Sequence, residues 1–137
     1  MKNSIDEATA EILLRPIDQR HIKFLPNGNA YTDFTPLQDR LNEAFGIGGW
    51  SWTVRSAALT EGIFVVHGTL IAGGISHDAV SAAKATQTGK SEEDSIKTAE
   101  TDAFKRAAMR FGIAFHIWKG EGLPGKGGQS PQPQPPQ

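Results

Sequence analysis

The chain has 137 residues, with 14 Lys and Arg against 15 Asp and Glu, and it contains no cysteine. This length predicts one domain whose core needs no metal or disulfide, and the missing cysteines exclude disulfides, thiolate zinc sites and a cysteine nucleophile. The N-terminal stretch carries Asp6, Glu7 and Glu11 and has no apolar run long enough for a signal peptide or a membrane span, so we expect a soluble cytoplasmic protein without a membrane partner.

The charges are unevenly distributed along the chain. Residues 1–83 hold six Lys and Arg against nine Asp and Glu, a net −3, whereas residues 84–137 hold eight against six, a net +2. Local clustering of cations decides whether a phosphate backbone can be bound, so a total charge of −1 does not exclude a nucleic-acid partner.

The first third of the chain predicts a short helix, a hairpin and a second helix. Residues 1–19 form an N-terminal segment with a helix from Ser4 onward, and two apolar runs flank the turn signal Pro26-Asn27-Gly28. In TPLQDRLNEAFG, Thr35 is the predicted N-cap, and Pro36 and Gln38 suit the first turn. Gly46 is the predicted helix end. The expected buried stripe of this helix is Leu37, Leu41, Ala44 and Phe45.

Three strand-like runs follow: WSWTVRSAAL, IFVVHGTLIA and ISHDAVSAA. The short turns at 60–62 and 73–74 contain glycine and predict an antiparallel meander. Trp50 and Trp52 have the same parity and therefore lie on one face of the sheet. They form either a base-stacking platform or, as is more usual for large aromatics, part of the core or of a subunit interface.

The last predicted element is a long amphipathic helix, SEEDSIKTAETDAFKRAAMRFG, capped by Ser91 and ending at Gly112. Its expected buried stripe is Ile96, Ala99, Ala103, Ala107 and Phe111, widened by Phe104 and Ala108. The sequence thus predicts an α+β fold, a three-stranded antiparallel meander packed by one long C-terminal helix, with an N-terminal hairpin and short helix. Residues 121–137 are rich in Gly, Pro and Gln and predict a flexible tail, which leaves 20–120 as the folded domain.

Gly89-Lys90-Ser91 has the form of the end of a phosphate-binding P-loop. That loop requires a glycine at residue 84, where this chain has lysine, and a buried parallel strand before it. A nucleotide-dependent enzyme using Lys90 and Ser91 is therefore the less favoured alternative. The four histidines are scattered without metal-ligand spacing, so we predict no catalytic residue, no metal site and no cofactor.

The polar side of the long helix carries a ridge of Lys97, Thr101 and Lys105, spaced at i, i+4 and i+8. Arg106 and Arg110 form a second pair one step around the helix. One interpretation is a solvated face whose charges complement the helix dipole. The other is a surface that binds a phosphate backbone. Spacing alone favours the solvated face.

A resemblance changes this weighting. The ordered set LNEAFGIGGWSWTV, a meander and EDSIKTAETDAFKRAAMRFGIA resembles the single-strand annealing proteins of the Rad52 family, especially the short bacterial and phage-like relatives that include the DdrA group. The family's N-E-x-F-G-x-x-G-W run is present from Asn42 to Trp50, and its T-D-x-x-K-R-A run from Thr101 to Ala107. The likeness covers residues 20 to about 118.

The resemblance implies a β-β-β-α fold, assembly into rings, and binding of single-stranded DNA in a basic groove without ATP or metal. Lys105 and Arg106 take the family's phosphate-contacting positions, and Lys97 lies on the same ridge. Met109 replaces a family arginine, with Arg110 one position later, while Arg40 and Arg55 are candidate substitutes for a basic residue missing at Pro36. A recombinase or a single-strand-binding protein is a candidate partner, and a nucleoid location follows.

Three other functions remain open at this stage. The first is a module that protects single-stranded DNA ends without annealing them. The second is the nucleotide-dependent enzyme considered above. The third is a scaffold whose long helix binds another protein.

Overall fold

The computed structural model describes residues 5–84 and 92–119. Their elements, in chain order, are α1 (Glu7–Leu14), a 3-10 turn (Gln19–His21), β1 (Ile22–Phe24), β2 (Ala30–Thr32), α2 (Phe34–Phe45), β3 (Trp50–Thr60), β4 (Ile63–Ala72), β5 (Ile75–Lys84), α3 (Glu92–Arg110) and α4 (Phe115–Lys119). The predicted α+β fold is confirmed: β3, β4 and β5 form a meander packed by α3, and β1 and β2 form the N-terminal hairpin.

The meander is antiparallel, and its strands lie where the alternating sequence runs predict them. Glu61 and Gly62 connect β3 to β4 with φ values of 51° and 80°, the left-handed conformation that matches hairpin twist. Trp52 pairs with Leu70, which in turn pairs with His77. A bulge between Val54 and Ser56 shifts the register of β3, so that Val54 and residue 57 share the face turned toward α3.

Helix α3 lies close against the sheet because its packing face is made of small side chains. Ala99, Ala103, Ala107 and Ala108 are completely buried, at 0% exposure. The prediction that Ile96 joins this stripe is wrong, since it is 38% exposed. The stripe instead starts at Ser95, which is 1% exposed and one turn before Ala99, whereas Ile96 is rotated by about 100°.

Helix α2 begins earlier than the capping motif predicts. Its N-cap is Asp33 rather than Thr35, so Pro36 is the third helical residue, where it still costs no intrahelical hydrogen bond. The Asp33 carboxylate makes no capping bond and instead pairs with Lys23 Nζ at 2.6 Å. The predicted end is confirmed at Gly46, whose φ is 84° and whose N–H donates to the Asn42 carbonyl at 2.8 Å.

The N-terminal segment is integrated into the core. Helix α1 is capped by Asp6, which accepts a hydrogen bond from the Thr9 amide at 2.7 Å. Leu13 and Ile17 are buried in the same cluster as Leu41 and the residues that follow α3. The domain boundary at residue 20 stays a prediction, while the predicted tail at 121–137 and the Ser91 cap lie outside the described residues. Within the described ranges, no helix is both long and apolar enough to cross a membrane.

Trp50 and Trp52 face α3 and are half-buried, which supports the core interpretation of this pair. Their rings lie 6.0 Å and 5.6 Å from that of Phe104 between centroids. The six-membered ring of Trp52 lies over Gly68 on the neighbouring strand, in space that a larger residue would occupy. The absence of a side chain at Gly68 therefore makes room for this indole.

We expect Gly68→Ala to destabilise the protein by about 1–3 kcal/mol, the usual cost of overpacking a core. An added Cβ would lie 2.9 Å from Trp52 Cζ3 and closer still to two other atoms of the ring. Urea denaturation measures this cost. In a Trp52→Phe background the shorter ring leaves room for the methyl group, so the cost of Gly68→Ala should fall. Equal costs in both backgrounds would contradict the proposed clash.

Candidate nucleic-acid interface

Lys105 lies where α3 meets the β1–β2 hairpin. Its side chain is half-buried, with Nζ 5.5 Å from the centroid of the Tyr31 ring, a cation–π contact. Burial lowers the pKa of Lys105, and the nearby carboxylates of Asp102 and Asp33 oppose that shift. The lysine thus lies against an aromatic ring with two carboxylates nearby, while part of it stays accessible.

The two arginines of α3, Arg106 and Arg110, differ in their exposure to solvent. Arg106 is half-buried, and Arg110 is exposed. Arg110 lies near enough to His77 of β5 to contribute, after burial, to the lowered pKa of that histidine. The cations therefore spread from the hairpin side of α3 at Lys105 to the β5 side at Arg110.

Lys97 lies two turns before Lys105 and lines an open cleft of about 660 Å³ between α3, the start of β3 and the start of α2. Thr101, the middle residue of the predicted ridge, also lines the cleft. Four aromatic rings form much of its wall: Phe34, Trp50, Trp52 and Phe104. Lys97 and Thr101 of the ridge therefore border an aromatic surface, which spacing on the helix did not reveal, whereas Lys105 lies outside the lining of the cleft.

Arg55 belongs to the opposite face of the sheet from α3. Its Nε donates to Thr69 Oγ1 at 3.0 Å, and that hydroxyl donates to Asp78 Oδ1 at 2.7 Å. His67 Nε2 lies 3.0 Å from the other carboxylate oxygen of Asp78. The hydrogen bonds from Thr69 and His67 lower the pKa of Asp78. The structure thus does not bring Arg55 together with the cations of α3.

Arg40 is buried, and its guanidinium bonds to backbone carbonyls rather than facing solvent. It donates to the carbonyls of Ile12, Arg15 and Pro16, at 3.1 Å for Ile12 and 3.3 Å for Pro16. These carbonyls lie at the C-terminal end of α1, where a cation also complements the helix dipole. Burial lowers the pKa of Arg40. A contact between Arg40 and DNA stays a prediction, but the observed geometry gives this residue a structural role.

Residues 9–118 match the family described as "Rad52/22 family double-strand break repair protein". The chain belongs to this family. The Rad52/22 match includes most of α1 and all of the hairpin, α2, the meander and α3, so every cation considered above lies within it.

The chain is also similar to fungal members named mitochondrial genome maintenance protein MGM101. It is 33% identical to the Candida albicans protein over 120 residues, which cover 80% of this chain and 40% of the relative. The protein from Mycosarcoma maydis is 27% identical over 127 residues, covering 85% of this chain and 36% of the relative. The chain therefore spans about two fifths of the length of these relatives.

Sequence reasoning within the Rad52/22 pattern missed the side chains that surround the α3 cations. Tyr31 and Asp33 come from the hairpin and its end, and Phe34 and Gln38 come from the first turns of α2. The motifs identified α3 but carry no signal for residues that approach it from elsewhere in the chain. Phe34, an apolar residue directly before the predicted cap, was the nearest available clue.

We expect Arg40→Leu to lower the free energy of unfolding by about 1–3 kcal/mol, because it removes the guanidinium that donates to the part-buried carbonyls of Ile12, Arg15 and Pro16. Arg20→Leu is the matched control, since the Arg20 side chain is 78% exposed and its loss should cost less than about 0.5 kcal/mol. Urea denaturation measures both variants. If the two costs are equal, Arg40 does not hold the end of α1.

Proposed function

We propose that this chain binds single-stranded DNA and anneals complementary strands in recombination and repair, without ATP, as a ring-like homo-oligomer. The observation that carries the proposal is the position of Lys105 and Arg106. Both residues stand in the Thr101–Ala107 run of a Rad52/22 family member, on a helix whose buried face is fully occupied by the sheet. Both side chains are partly exposed.

The proposed chemistry is recognition of the DNA backbone. Lysine and arginine neutralise phosphates irrespective of sequence, so the bases stay free to be tested by Watson–Crick pairing. The name of the MGM101 relatives, which refers to genome maintenance, agrees with a DNA substrate. In this mechanism the protein performs no bond chemistry, and we propose that it is not an enzyme.

Assembly is supported by the edges of the meander. β3 and β5 are the outer strands of the sheet, and within the described residues neither pairs with a further strand. β3 is exposed on both faces after Trp52, including Val54 at 39% and Leu59 at 52%. Exposed edge strands with apolar side chains favour pairing with another chain. We propose that further copies of this chain cover these edges.

The alternatives are less well supported. Protection of DNA ends would use the same cations, and only an assay of annealing separates the two functions. For a P-loop enzyme, Lys90 and Ser91 lie outside the described residues, but the preceding strand β5 is an antiparallel edge strand rather than a buried parallel one. For the cell, we propose a nucleoid location and a recombinase or a single-strand-binding protein as a partner.

The direct test mixes two complementary, fluorescently labelled strands with the purified protein in the absence of nucleotide. We expect annealing to be faster than without protein and unchanged by ATP. Sedimentation of the same sample should give an oligomer. Tight binding of single strands without acceleration would favour end protection, and a stable monomer at micromolar concentration would contradict the ring.

We expect Lys105→Ala and Arg106→Ala each to weaken binding of single-stranded DNA and to leave thermal stability nearly unchanged. Each lost phosphate contact should flatten the log–log dependence of affinity on salt by about 0.7 per subunit. Arg110→Ala should have a smaller effect, since Arg110 lies toward β5. Fluorescence anisotropy at several salt concentrations measures these affinities.

The matched control for these variants is Lys84→Ala, which removes the same charge from an exposed residue at the end of β5. It should bind DNA nearly as the wild type does. If the double variant Lys105→Ala, Arg106→Ala binds DNA with the same affinity and salt dependence as the wild type, α3 does not contact the phosphates.

A further inference from the structure

The cleft beside α3 combines aromatic walls with amide, hydroxyl, carboxylate and cationic groups, and the carboxylate is that of Glu100. Phe34, 42% exposed, comes from the first turn of α2, and Gln38 lies one turn later. Trp50 and Trp52 come from β3, and Lys97 and Thr101 from α3. Its volume of about 660 Å³ is within the range of roughly 300–1,000 Å³ found for sites that take small organic ligands.

The polar atoms of the two tryptophans are already bonded within the chain. Trp50 Nε1 donates to Asn42 Oδ1 at 2.8 Å, and Trp52 Nε1 donates to Glu100 Oε2 at 3.3 Å. Contacts with Gly68 and Phe104 further fix the Trp52 ring. The rings thus offer the cleft apolar surface in a fixed orientation, so a flat ligand loses little binding energy to ordering them.

The charges beside the cleft identify the kind of ligand. Lys97 lines the cleft, whereas Lys105, eight residues and about 12 Å further along the helix axis, lies outside the lining beside Tyr31. Thr101 lies between them and lines the cleft. The Glu100 carboxylate of the lining already accepts the hydrogen bond from Trp52 Nε1. A ligand that suits this arrangement has a flat aromatic group in the cleft and an anionic group at Lys97. A nucleotide within a single strand has this form, and Gln38 offers an amide donor and acceptor to the edge of its base.

We propose that this cleft seats a nucleobase of the bound single strand, with an adjacent phosphate at Lys97 and a later phosphate of the same strand at Lys105. The proposal rests on the proposed function and adds a contact to the base. A seated base stacks on an aromatic wall and fixes the position of the strand on each subunit. The remaining bases stay exposed for pairing, as annealing requires.

The test compares two oligonucleotides of equal length, one of thymidine and one in which abasic sites replace the bases but the phosphates are kept. Affinities are measured by fluorescence anisotropy. Wild type should bind the thymidine strand more tightly. We expect Phe34→Ala to weaken binding of that strand at least about five-fold, from loss of stacking, and to leave the abasic strand unaffected. Gln38→Ala should reduce the same preference by a smaller factor.

Phe24→Ala is the matched control, because Phe24 is also 42% exposed but does not line the cleft. It should bind both strands as the wild type does, and thermal unfolding verifies that all three variants are folded. If Phe34→Ala and Gln38→Ala both bind the thymidine strand as tightly as the wild type does, the proposal is wrong. A change of oligomer size in these variants at unchanged DNA affinity would also overturn it and make the cleft a contact between copies of the chain.

The results distinguish failure of this proposal from failure of the proposed function. If only the base site is wrong, Lys105→Ala weakens binding of both strands and Phe34→Ala weakens neither. If the proposed function is wrong, the wild-type protein binds neither the thymidine strand nor the abasic strand, and both proposals fall together.

Discussion

The packing of α3 on the sheet depends on four side chains that consist of a single methyl group. Ala99, Ala103, Ala107 and Ala108 are all fully buried, so the helix backbone approaches the strands closely. Little room remains between them for large rings, and Trp50 and Trp52 pack instead around Phe104 beside the alanine stripe. Close packing at the centre thus places the aromatic surface at the margin of the helix, next to its polar ridge.

The smaller elements complete this margin. The β1–β2 hairpin brings Tyr31 to Lys105, and the first turns of α2 bring Phe34 and Gln38 to the cleft. α2 in turn packs against α1, where Arg40 bonds to the end of the shorter helix. Four separate stretches of chain therefore form the candidate interface: the β1–β2 hairpin, α2, β3 and α3. Of these, only α3 carries the cations of the family motif.

The sequence predicts the regular parts of this structure well. Alternation and glycine turns define β3 to β5, and the period of α3 identifies six of its seven expected buried residues. The errors arise where a distant residue decides the outcome. Asp33 ends as an N-cap whose carboxylate pairs with Lys23, ten residues earlier. The carbonyls that accept from Arg40 lie 24 to 28 residues earlier in the chain. Local sequence does not reveal them, so the basic side chain is interpreted as a DNA contact from sequence alone. Ser95, not Ile96, occupies the buried position at the start of α3, between the helix and the sheet.

The contact between Arg40 and the end of α1 also determines what happens to the fold if the N-terminal residues are removed. A fragment that starts at residue 20 lacks all three carbonyl acceptors, because they belong to Ile12, Arg15 and Pro16. It also lacks Leu13 and Ile17, whose removal opens an apolar gap beside Leu41. The guanidinium must then draw water into that gap or pull α2 away from the core. Residues 12–17 thus hold α2 against the core, and measurements on a chain that lacks them would describe a loosened α2 rather than the intact fold.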